Sequence, residues 1–439
     1  MIFRNLAHEI QNYIQDKGAH KPVCILEGVR QTGKTTVIKQ ALANFDSLYI
    51  DLEKSKSFRA KLDRCEEFFE FENLLKDEFG FVPNKGKILV IDEAQESRRL
   101  GSFVRYLKED WEKQSSILSG SLMSRLFRDG IREPVGRTKK LVLRPYSFKE
   151  FLKAHDKEHL VKEIEAWHPK NTFSQNRHEH LIELFQTYLQ VGGLPEVNEL
   201  HANGKDWQDH LLQLKVQYED DFIRVFGDSK LSLYQRILKR VAETIGYPSK
   251  KATIVATNQQ AYRELDDLLS QVQRWHLVLK VGQESYMPTK SGKLIPKRYL
   301  FDVGMAQLLG RQARPQVDLL SDASSEVRTP LGGLIENAVL CELKVLNAEV
   351  NGWRYKTNGS EVDFVAQKNQ SIYPVEVKSS RRFRKNFLKP LLNYMDLYGL
   401  KEGFLVDLMP GSNQKINDKV IYQIPVYCVS EVFRLAATD

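Results

Sequence analysis

The sequence predicts an α/β protein with a parallel sheet in its N-terminal third and a further α/β domain at its C-terminus. Two observations carry this prediction. Apolar runs at residues 23–26 and 88–91 each lead into polar residues, which is typical of buried parallel strands, and helical periodicity follows each run. Near the C-terminus, a helical stretch at 334–343 precedes two strand patterns, at 360–366 and 372–380.

Composition narrows the class of protein. The chain has 439 residues, of which 42% are hydrophobic and 28% charged, so we expect two to four globular domains. Its formal net charge of +8 favours polyanionic partners. The four cysteines lie far apart, no stretch approaches the ~20 apolar residues that span a bilayer, and the N-terminus lacks the apolar core of a signal peptide. We therefore expect a cytoplasmic protein with no membrane partner.

The first strand leads into a glycine loop and then a helix. Gly28, Gly33, Lys34 and Thr35 fit the pattern G-x-x-x-x-G-K-[ST], which binds phosphate. The glycines let consecutive N–H groups point inward, and the helix that begins at Lys34 adds the positive end of its dipole. We expect Lys34 to reach the nucleotide phosphates and the Thr35 hydroxyl to ligate Mg²⁺; a glycine turn without a ligand is the alternative. The predicted ATP contacts are Gly28, Gln31, Thr32, Gly33, Lys34, Thr35 and Thr36.

The second informative stretch is residues 87–95, in which four apolar residues run into Asp92 and Glu93. Acids at the carboxyl end of a parallel strand lie where open α/β sheets bind their ligands. Asp92 is expected to hold Mg²⁺, directly or through water, and Glu93 to act as the general base that polarises the attacking water. An ordinary strand end would look the same in isolation, and the preceding phosphate loop favours the catalytic interpretation.

The other N-terminal elements follow from periodicity and turn signals. Ser119, at a strand end, is the expected γ-phosphate sensor, with a serine-rich turn as the alternative. Ser147 and Glu150 form a capping box that begins a helix. We predict helices within 1–18, 55–79 and 98–112, and strands within 47–52, 115–121 and 141–145.

These motifs occur in the order phosphate loop, acidic strand 87–95, Leu118–Ser121 and Leu143–Phe151. In this order they resemble the prokaryotic AAA-like P-loop ATPases that carry a C-terminal domain of unknown function. The resemblance implies ATP as the nucleotide and a winged helix in the middle of the chain. It continues through Tyr188–Glu196, where it implies that Gly193 and Pro195 lie over the nucleotide base. A glycine pair that simply ends a helix is compatible with the same residues.

One arginine is expected to stabilise the transition state of hydrolysis. Arg137 follows Gly136, as in the family that the chain resembles, and is therefore the first choice for this arginine finger. The sequence does not decide whether it would act on its own subunit or on a neighbour, and a surface salt bridge is the alternative. The other arginines considered are Arg125, Arg128, Arg132 and Arg144.

The middle of the chain is predicted to be winged-helix-like, because short helices lead into extended segments at 275–286 and 294–301. From Ser229 to Leu300 there are thirteen Lys and Arg against five Asp and Glu, a surplus equal to the net charge of the whole chain. We therefore expect this part to contact DNA phosphates, although winged helices also serve as packing modules. Lys297–Asp302 matches a basic-Tyr-x-x-Asp segment of the family, whose role the sequence does not reveal.

The C-terminal domain carries a second group of acids. Alternation places Asp363 on one face of its strand, and Glu376 and Lys378 together on one face of the next. With Glu336 from the preceding helix, they have the order of the PD-(D/E)xK nucleases, which this segment resembles, although Val362 stands where those proteins often have Pro. They are expected to hold a second Mg²⁺ or Mn²⁺, with Lys378 orienting the water. A half-exposed hairpin is the alternative.

The predicted fold class is therefore α/β, with an N-terminal P-loop ATPase that has a parallel sheet and a helical lid, a winged-helix-like middle and a C-terminal restriction-endonuclease-like domain. The predicted segments are 1–155 for the ATPase core, 156–228 for the lid, 229–310 for the connector, 311–330 for a linker and 331–439 for the nuclease-like domain. We expect a Mg²⁺-dependent ATPase that acts on DNA and whose nucleotide state controls the nuclease-like domain. The alternative is a signalling or defence switch that binds a protein partner or DNA, or self-associates, without cleavage.

Overall fold

The computed structural model describes residues 2–127, 134–255, 259–286, 294–310, 318–320, 325–356 and 359–436, with the backbone alone for 325–330. Two of the arginines considered above, Arg128 and Arg132, and most of the predicted linker lie outside the described residues. The chain forms two compact units. The first comprises Met1–Arg144 with Arg274–His276, and the second comprises Pro145–Gln273 with Leu277–Asp439.

The first unit is built on a parallel sheet. Its helices are α1 (Asn5–Gln15), α2 (Lys34–Leu42), α3 (Lys56–Leu62), α4 (Phe68–Phe79) and α5 (Leu100–Glu109). Its strands are β1 (Val23–Glu27), β2 (Ser47–Asp51), β3 (Ile88–Asp92), β4 (Ser116–Gly120) and β5 (Thr138–Val142). The strands lie in the order β2-β3-β4-β1-β5, and every pair is parallel. The predicted parallel sheet is confirmed.

Both faces of this sheet are covered, which explains why its strands read as continuous apolar runs. Cys24 and Leu26 of β1 face a core that includes α1 and α2, whereas Val23 and Ile25 face a core that includes α3, α4 and α5. A parallel strand buried on both sides needs apolar residues at every position. The carboxyl ends of β1, β3 and β4 meet at one edge, because neighbouring strands run in the same direction.

Two details of the first unit differ from the sequence expectation. The helical stretch predicted over 55–79 is two helices, because Glu70 accepts a hydrogen bond from the Glu67 backbone N–H at 3.2 Å and caps a new helix start. The last strand begins at Thr138 rather than at Leu141, because its backbone pairs with all of β1 from Val23 onwards.

The second unit contains the remaining elements. Its helices are α6 (Phe148–Ala154), α7 (Glu158–Ala166), α8 (Gln175–Val191), α9 (Pro195–Ala202), α10 (Trp207–Phe226), α11 (Leu231–Glu243), α12 (Gln259–Arg274), α13 (Val303–Leu309), α14 (Ser325–Val345), α15 (Lys389–Tyr398) and α16 (Val432–Leu435); the last residue of α12 is counted with the first unit. Its strands are β6 (Val278–Val281), β7 (Gln283–Ser285), β8 (Lys297–Leu300), β9 (Glu349–Arg354), β10 (Glu361–Lys368), β11 (Ser371–Val377), β12 (Glu402–Asp407), β13 (Ser412–Ile416) and β14 (Lys419–Pro425).

Two sheets organise the second unit. The larger has the order β13-β14-β12-β11-β10-β9-β7 and mixes parallel with antiparallel pairs, and the smaller is the antiparallel pair β6-β8. The extended segment predicted over 275–286 is divided between them, since β7 pairs with β9. Helices α11 and α12 precede the β6-β8 pair, which is the expected order of helices and ribbon. The winged-helix and endonuclease-like assignments themselves stay predictions.

Buried polar contacts join helices α6 and α8 to the C-terminal domain within this unit. The Phe148 N–H donates to Glu342 Oε1 at 2.6 Å, and the His178 ring nitrogens contact the Tyr427 hydroxyl and the Leu408 carbonyl at 2.8 and 3.1 Å. Helix α14 begins at Ser325, inside the segment 311–330 predicted as a linker. The lid, the connector and the C-terminal domain, predicted as separate segments, therefore form one packed body.

Across the described part of the chain, no helix combines the length and the apolar character that crossing a bilayer requires.

Candidate functional site

The phosphate loop follows β1 directly. Gly28 has a φ of +154°, and a Cβ there would clash with the Leu143 carbonyl of the neighbouring strand segment. Gly33 has a φ of +91° and precedes the first residue of α2, so the predicted helix start at Lys34 is confirmed. The Thr32 hydroxyl donates to the Val29 carbonyl at 2.8 Å and closes the loop from within. Gln31 adopts the left-handed region and Thr36 lies in the first turn of α2.

Lys34 lies inside the loop that it is expected to serve. Its ammonium donates to the carbonyls of Gly28 and Val29, both at 3.1 Å, and the side chain is buried. These two hydrogen bonds keep the charge of Lys34 close to the loop. That charge is available to an anion bound by the loop N–H groups.

A buried arginine that the sequence analysis missed ties the loop down. Arg4, just before α1, donates to the Thr32 carbonyl at 3.1 Å and to the Arg144 carbonyl at 2.7 Å. It therefore joins the phosphate loop to the chain that follows β5. The two partners lie 28 and 140 residues after Arg4 in the chain, and no local pattern in the sequence indicates these contacts.

Asp92, at the carboxyl end of β3, is surrounded by neutral donors. Its carboxylate accepts a hydrogen bond from the Thr35 hydroxyl at 2.8 Å, from the hydroxyls of Tyr49 and Ser119, and from the Glu93 N–H at 3.0 Å. Burial raises the pKa of Asp92, but the hydrogen bonds from Ser119, Tyr49 and Thr35 outweigh burial and hold the pKa below its usual value. Asp92 is therefore ionised at neutral pH although its side chain is buried.

Two of these donors, Tyr49 and Ser119, make contacts with Asp92 that the sequence did not predict. Tyr49 was missed, because its contact with Asp92 depends on β2 lying beside β3, which the sequence does not state. Ser119, predicted as a γ-phosphate sensor, is fully buried and donates to Asp92. The sensor role stays a prediction, and the observed contact makes Ser119 a part of the Asp92 site.

Glu93 sits in an unusual backbone conformation. Its φ of +50° is uncommon for a residue with a side chain, and it turns the chain sharply at the end of β3. Burial raises the pKa of the Glu93 carboxyl, and the hydrogen bond donated by Gln95 Nε2 at 2.5 Å partly opposes this rise. Gln95 can reach Glu93 because the neighbouring residue on β4 is Gly120, where a Cβ would clash with the Gln95 amide.

A magnesium ion fits the residues around Asp92. Mg²⁺ prefers oxygen ligands and is usually held by one or two protein groups together with phosphate oxygens. The Thr35 hydroxyl and the ionised Asp92 carboxylate supply two such oxygens, 2.8 Å apart, beside the phosphate loop. The side chains of Tyr49 and Ser119, which also donate hydrogen bonds to Asp92, are neutral and do not cancel the charge of the carboxylate.

The arginines lie in different places. Arg137 precedes β5 and pairs with Glu109 at 2.6 Å. Because its carbonyl accepts from Val23, at the amino end of β1, Arg137 is five residues, or roughly 16 Å, from the sheet edge that carries the phosphate loop. It cannot reach the loop of its own chain. Arg144 follows β5 at the correct edge. Burial raises the pKa of Glu27, the last residue before the loop, but the hydrogen bond and charge of His276, together with the charges of Lys140 and Arg144, hold this pKa below its usual value.

Gly193 and Pro195 belong to the second unit. Pro195 is the first residue of α9, and Gly193 donates its N–H to Asp302 Oδ2 at 2.7 Å. A Cβ on Gly192 would clash with the Asp302 carboxylate, and one on Gly193 with the Tyr146 backbone. The structure therefore explains both glycines by close packing, and their contact with a nucleotide base stays a prediction.

The acids of the C-terminal domain do converge. Asp363 accepts from the Val377 N–H at 3.0 Å, and the Lys378 ammonium pairs with Glu376 and lies 3.9 Å from Asp363. Glu336 of α14 joins them through Tyr299, whose hydroxyl donates to Glu336 Oε2 at 3.0 Å. We name the carboxylates Glu336, Glu361, Asp363 and Glu376 the C-terminal acidic centre.

A second lysine, which the sequence analysis did not place, lies among these acids. Lys297 of β8 is 2% exposed, and its ammonium lies 2.7 Å from Glu361, 3.2 Å from Asp363 and 3.4 Å from Glu336. Among the residues that the structure describes, no group of three or more His, Cys, Asp or Glu side chains is placed to hold a metal ion. The predicted second Mg²⁺ or Mn²⁺ is therefore not supported, and an ammonium takes the place expected for it.

Comparison with protein families places known models on three parts of the chain. Residues 20–152 match the model of an AAA domain. Residues 182–315 and 331–429 match two models that are each described as a domain of unknown function, DUF8612 and DUF4143. No curated protein matches the chain. Together with the parallel sheet and the loop geometry, the AAA match supports a P-loop ATPase fold for the first unit and leaves the nuclease-like resemblance unconfirmed.

Several solved structures are similar at low identity. A Walker-type ATPase of Pyrococcus abyssi is 16% identical over 70% of this chain and 97% of its own, with a TM-score of 0.41. The ORC1 protein of Aeropyrum pernix, solved with DNA, is 14% identical over 70% and 90%, with a TM-score of 0.26. A signal-transduction ATPase of Pyrococcus horikoshii with a tetratricopeptide-repeat sensor is 14% identical over 78% and 45%, with a TM-score of 0.29. Likenesses at these scores carry no argument about activity.

Proposed function

We propose that the first unit binds ATP with Mg²⁺ and hydrolyses it to ADP and phosphate. One observation carries the proposal: the Thr35 hydroxyl at the end of the phosphate loop is hydrogen-bonded to Asp92, and Glu93 follows Asp92 at the same sheet edge. A phosphate loop, a metal-binding carboxylate and a general base are the parts that hydrolysis of a nucleoside triphosphate requires.

The residues of the loop bind and orient the substrate. The N–H groups from Gly28 to Thr35 form the anion site, and Lys34 exchanges its carbonyl partners for phosphate oxygens. Thr35 and Asp92 hold Mg²⁺, which neutralises charge on the phosphates when it is bound. Arg4 keeps the loop in this shape through the Thr32 carbonyl.

Glu93 accepts the proton of the attacking water. The water oxygen forms a bond to the γ-phosphorus while the bond to the leaving ADP oxygen breaks, and the proton passes to the carboxylate. A carboxylate with a raised pKa is a stronger base than an exposed one, and burial gives Glu93 this property. Gln95 fixes its orientation. Arg144 is the in-chain candidate for charge stabilisation, and Arg137 is suited only to a neighbouring subunit.

The test is ATP binding and hydrolysis by Lys34→Ala, with Lys39→Ala as the matched control. Both lysines are on α2, but Lys39 is exposed and lies five residues further along the helix from the loop. We expect Lys34→Ala to lose nucleotide binding by about two orders of magnitude, since the phosphates lose their cation, and Lys39→Ala to behave as wild type. Unchanged ATP affinity in Lys34→Ala would refute the loop assignment.

The second unit is proposed to be a nucleotide-dependent binding module rather than a nuclease. The observation that favours this choice is Lys297, which neutralises the acids that cleavage would need for a metal. The test is incubation of plasmid and linear DNA with Mn²⁺ or Mg²⁺, with and without ATP, for wild type and Asp363→Ala. We expect no cleavage by either protein while ATP hydrolysis continues. Cleavage by wild type that Asp363→Ala abolishes would establish the nuclease instead.

DNA is the partner that the charge of residues 229–300 favours, although two of the eleven basic residues that the structure describes there are buried. Lys297 lies in the acidic centre, and Arg298 donates to the Ser249 carbonyl at 3.2 Å. The exposed surplus is therefore smaller than the sequence count. We expect weak DNA binding whose affinity falls steeply between 50 and 200 mM salt. Absence of binding at the lower salt concentration would leave a protein partner as the remaining choice.

A further inference from the structure

Lys297 is almost completely buried, which is unusual for a lysine side chain. It lies on β8 with 2% of its surface exposed, and three carboxylates lie within 3.4 Å of its ammonium. Burying an ammonium is costly unless opposite charges surround it. The strand that carries it belongs to the small β6-β8 sheet, whereas Glu361 and Asp363 belong to the large sheet. The contact therefore joins two sheets through one charge.

Lys297 is one of three cations, within the described part of the chain, that face the four carboxyl groups of the acidic centre. Glu336, Glu361, Asp363 and Glu376 bring four carboxylates together. Their cationic partners are Lys297, Lys378 and, at Glu361, Arg354. Removal of Lys297 would leave Asp363 and Glu336 with Lys378 as the nearest positive charge. A buried set of acids in that condition either takes up protons or takes up a cation.

One carboxylate oxygen of the acidic centre, Oε2 of Glu376, accepts no hydrogen bond from Lys297 or Lys378. Glu376 is 3% exposed, and within the described residues its Oε2 has no hydrogen-bond partner. A buried carboxylate oxygen without a donor is unusual. Repulsion from Asp363 contributes to the raised pKa of Glu376, after burial itself, which shows that the two acids face a common space. Glu376 Oε2 is therefore an oxygen acceptor in the centre that no donor of the described residues occupies.

We propose that the Lys297 ammonium is the resident cation of the C-terminal acidic centre and that a divalent cation binds there only after this ammonium is withdrawn. Lys297 and a metal would bind the same oxygens of Asp363 and Glu336, so the two exclude each other. Lys297 thus acts as an inhibitor, within the same chain, of metal binding at these oxygens. This inference is independent of the proposed ATPase, because neither the phosphate loop nor ATP takes part in it.

The test is thermal unfolding of the nucleotide-free full chain in EDTA and in Mn²⁺. The variants are Lys297→Met, the double variant Lys297→Met/Asp363→Asn, and Lys280→Met as the control. Lys280 is an exposed lysine on β6, the partner strand of β8, so its loss removes charge without touching the acids. Mn²⁺ binding at the Asp92 site shifts the melting temperature of all variants equally, so this shift cancels when the variants are compared.

We expect Lys297→Met to melt several degrees below wild type in EDTA and to regain several degrees in 1 mM Mn²⁺. The double variant should gain nothing from Mn²⁺ beyond the shift seen in wild type, and Lys280→Met should match wild type throughout. If Lys297→Met does not fold in EDTA, its soluble yield on refolding should depend on Mn²⁺, and the double variant should lack this dependence.

Two results would overturn the proposal. One is a Mn²⁺-induced shift in wild type that Asp363→Asn abolishes, because a metal would then bind with Lys297 in place. The other is a Lys297→Met protein that gains no more from Mn²⁺ than Lys280→Met does. Electron paramagnetic resonance of free Mn²⁺ gives the number of bound ions directly and should show one more in Lys297→Met than in wild type.

Discussion

Two buried aspartates, one in each unit, are kept ionised by different means. Asp92 is 2% exposed and accepts hydrogen bonds from hydroxyls of Thr35, Tyr49 and Ser119. Asp363 is 7% exposed and is held by a backbone N–H and by the ammonium groups of two lysines. Burial raises both pKa values, but hydroxyl donors in one case and ammonium charges in the other bring both below the usual value.

The difference teaches how a protein prepares a carboxylate for a metal. Neutral donors orient a carboxylate and stabilise its charge without cancelling it, so a cation is still attracted. An ammonium within 3.2 Å cancels the charge and removes that attraction. A sequence shows the acids at both places. Which of the two environments each acid has depends on residues distant in the chain.

The largest effect should come from Glu93, the proposed general base of ATP hydrolysis. Glu93→Gln keeps the size of the side chain and removes the base, so we expect kcat for ATP to fall by about 10² to 10⁴ while nucleotide affinity is retained. Steady-state phosphate release and nucleotide titration measure the two quantities. Glu112→Gln, at an exposed position of the same unit, is the control. Normal turnover by Glu93→Gln would mean that another group is the base.

The next prediction compares the substitution Asp→Asn at position 363 with the same substitution at position 92. Asp363→Asn leaves Lys297 buried beside less negative charge, so we expect a cost of about 3–5 kcal/mol in the opening free energy of the second unit. Asp92→Asn removes charge from a site with neutral donors, and about 1–2 kcal/mol is expected in the first unit. Hydrogen exchange of peptides from β10 and from β3 measures each cost separately. Equal costs would contradict the distinction drawn between the two centres.

Asp302 and Asp92 should contribute to the pH dependence of stability with opposite signs. Burial raises the pKa of Asp302 to about 6, so its folded form binds a proton more tightly than its unfolded form. The stability of the second unit is then fully present below pH ~4 and falls by about 3 kcal/mol as the pH rises to 6. Asp92, whose pKa is lowered, stabilises the first unit above pH ~4 and loses that contribution as the pH falls.

Asp302→Asn tests this sign, because it keeps an acceptor for the Met305 N–H and removes the titration. We expect the loss of stability between pH 4 and 6 to become smaller in hydrogen exchange of the second unit. Glu342 and Asp407, both raised to a pKa of about 7 by burial, should leave a remaining slope up to neutral pH. An unchanged slope would show that Asp302 does not titrate in this range.

The smallest effect concerns the orientation of the base. Gln95→Leu removes the hydrogen bond that lowers the pKa of Glu93, so the acid limb of the kcat–pH profile should move to higher pH by about half a unit, with a few-fold loss of kcat at neutral pH. Gln15→Leu, at the exposed end of α1, is the control. If kcat falls but the acid limb of the kcat–pH profile stays at the same pH, Gln95 contributes to packing only.

Local patterns predicted the phosphate loop, the parallel sheet and the pair Asp92–Glu93 because each lies in consecutive residues. The residues that complete the site could not be predicted in this way. Tyr49 and Gln95 reach the carboxylates only because of the strand order and of Gly120 on β4. Arg137, preferred on family pattern, proved to lie at the opposite edge of its own sheet.

The C-terminal domain shows a second limit of sequence reasoning. Strand alternation indicated a common face for Glu376 and Lys378, and the structure brings both close to Asp363. The role predicted for these residues and for Glu336 stays a prediction. Lys297 is 39 residues from Glu336 and 66 from Asp363, and it was counted among the charges available to DNA. A count of charges gives no information on burial, and this one lysine reverses the interpretation of the site.

The short segment Lys297–Asp302 has a mechanical consequence. At one end Lys297 is fixed in the acidic centre, and at the other Asp302 holds the Gly193 N–H and begins α13. Strand β8 ends at Leu300, so two residues separate it from α13. Extended backbone rises about 3.3 Å per residue, so the Cα atoms of Lys297 and Asp302 lie at most roughly 16 Å apart, and this short connection links the Gly192–Gly193 turn to the acidic centre.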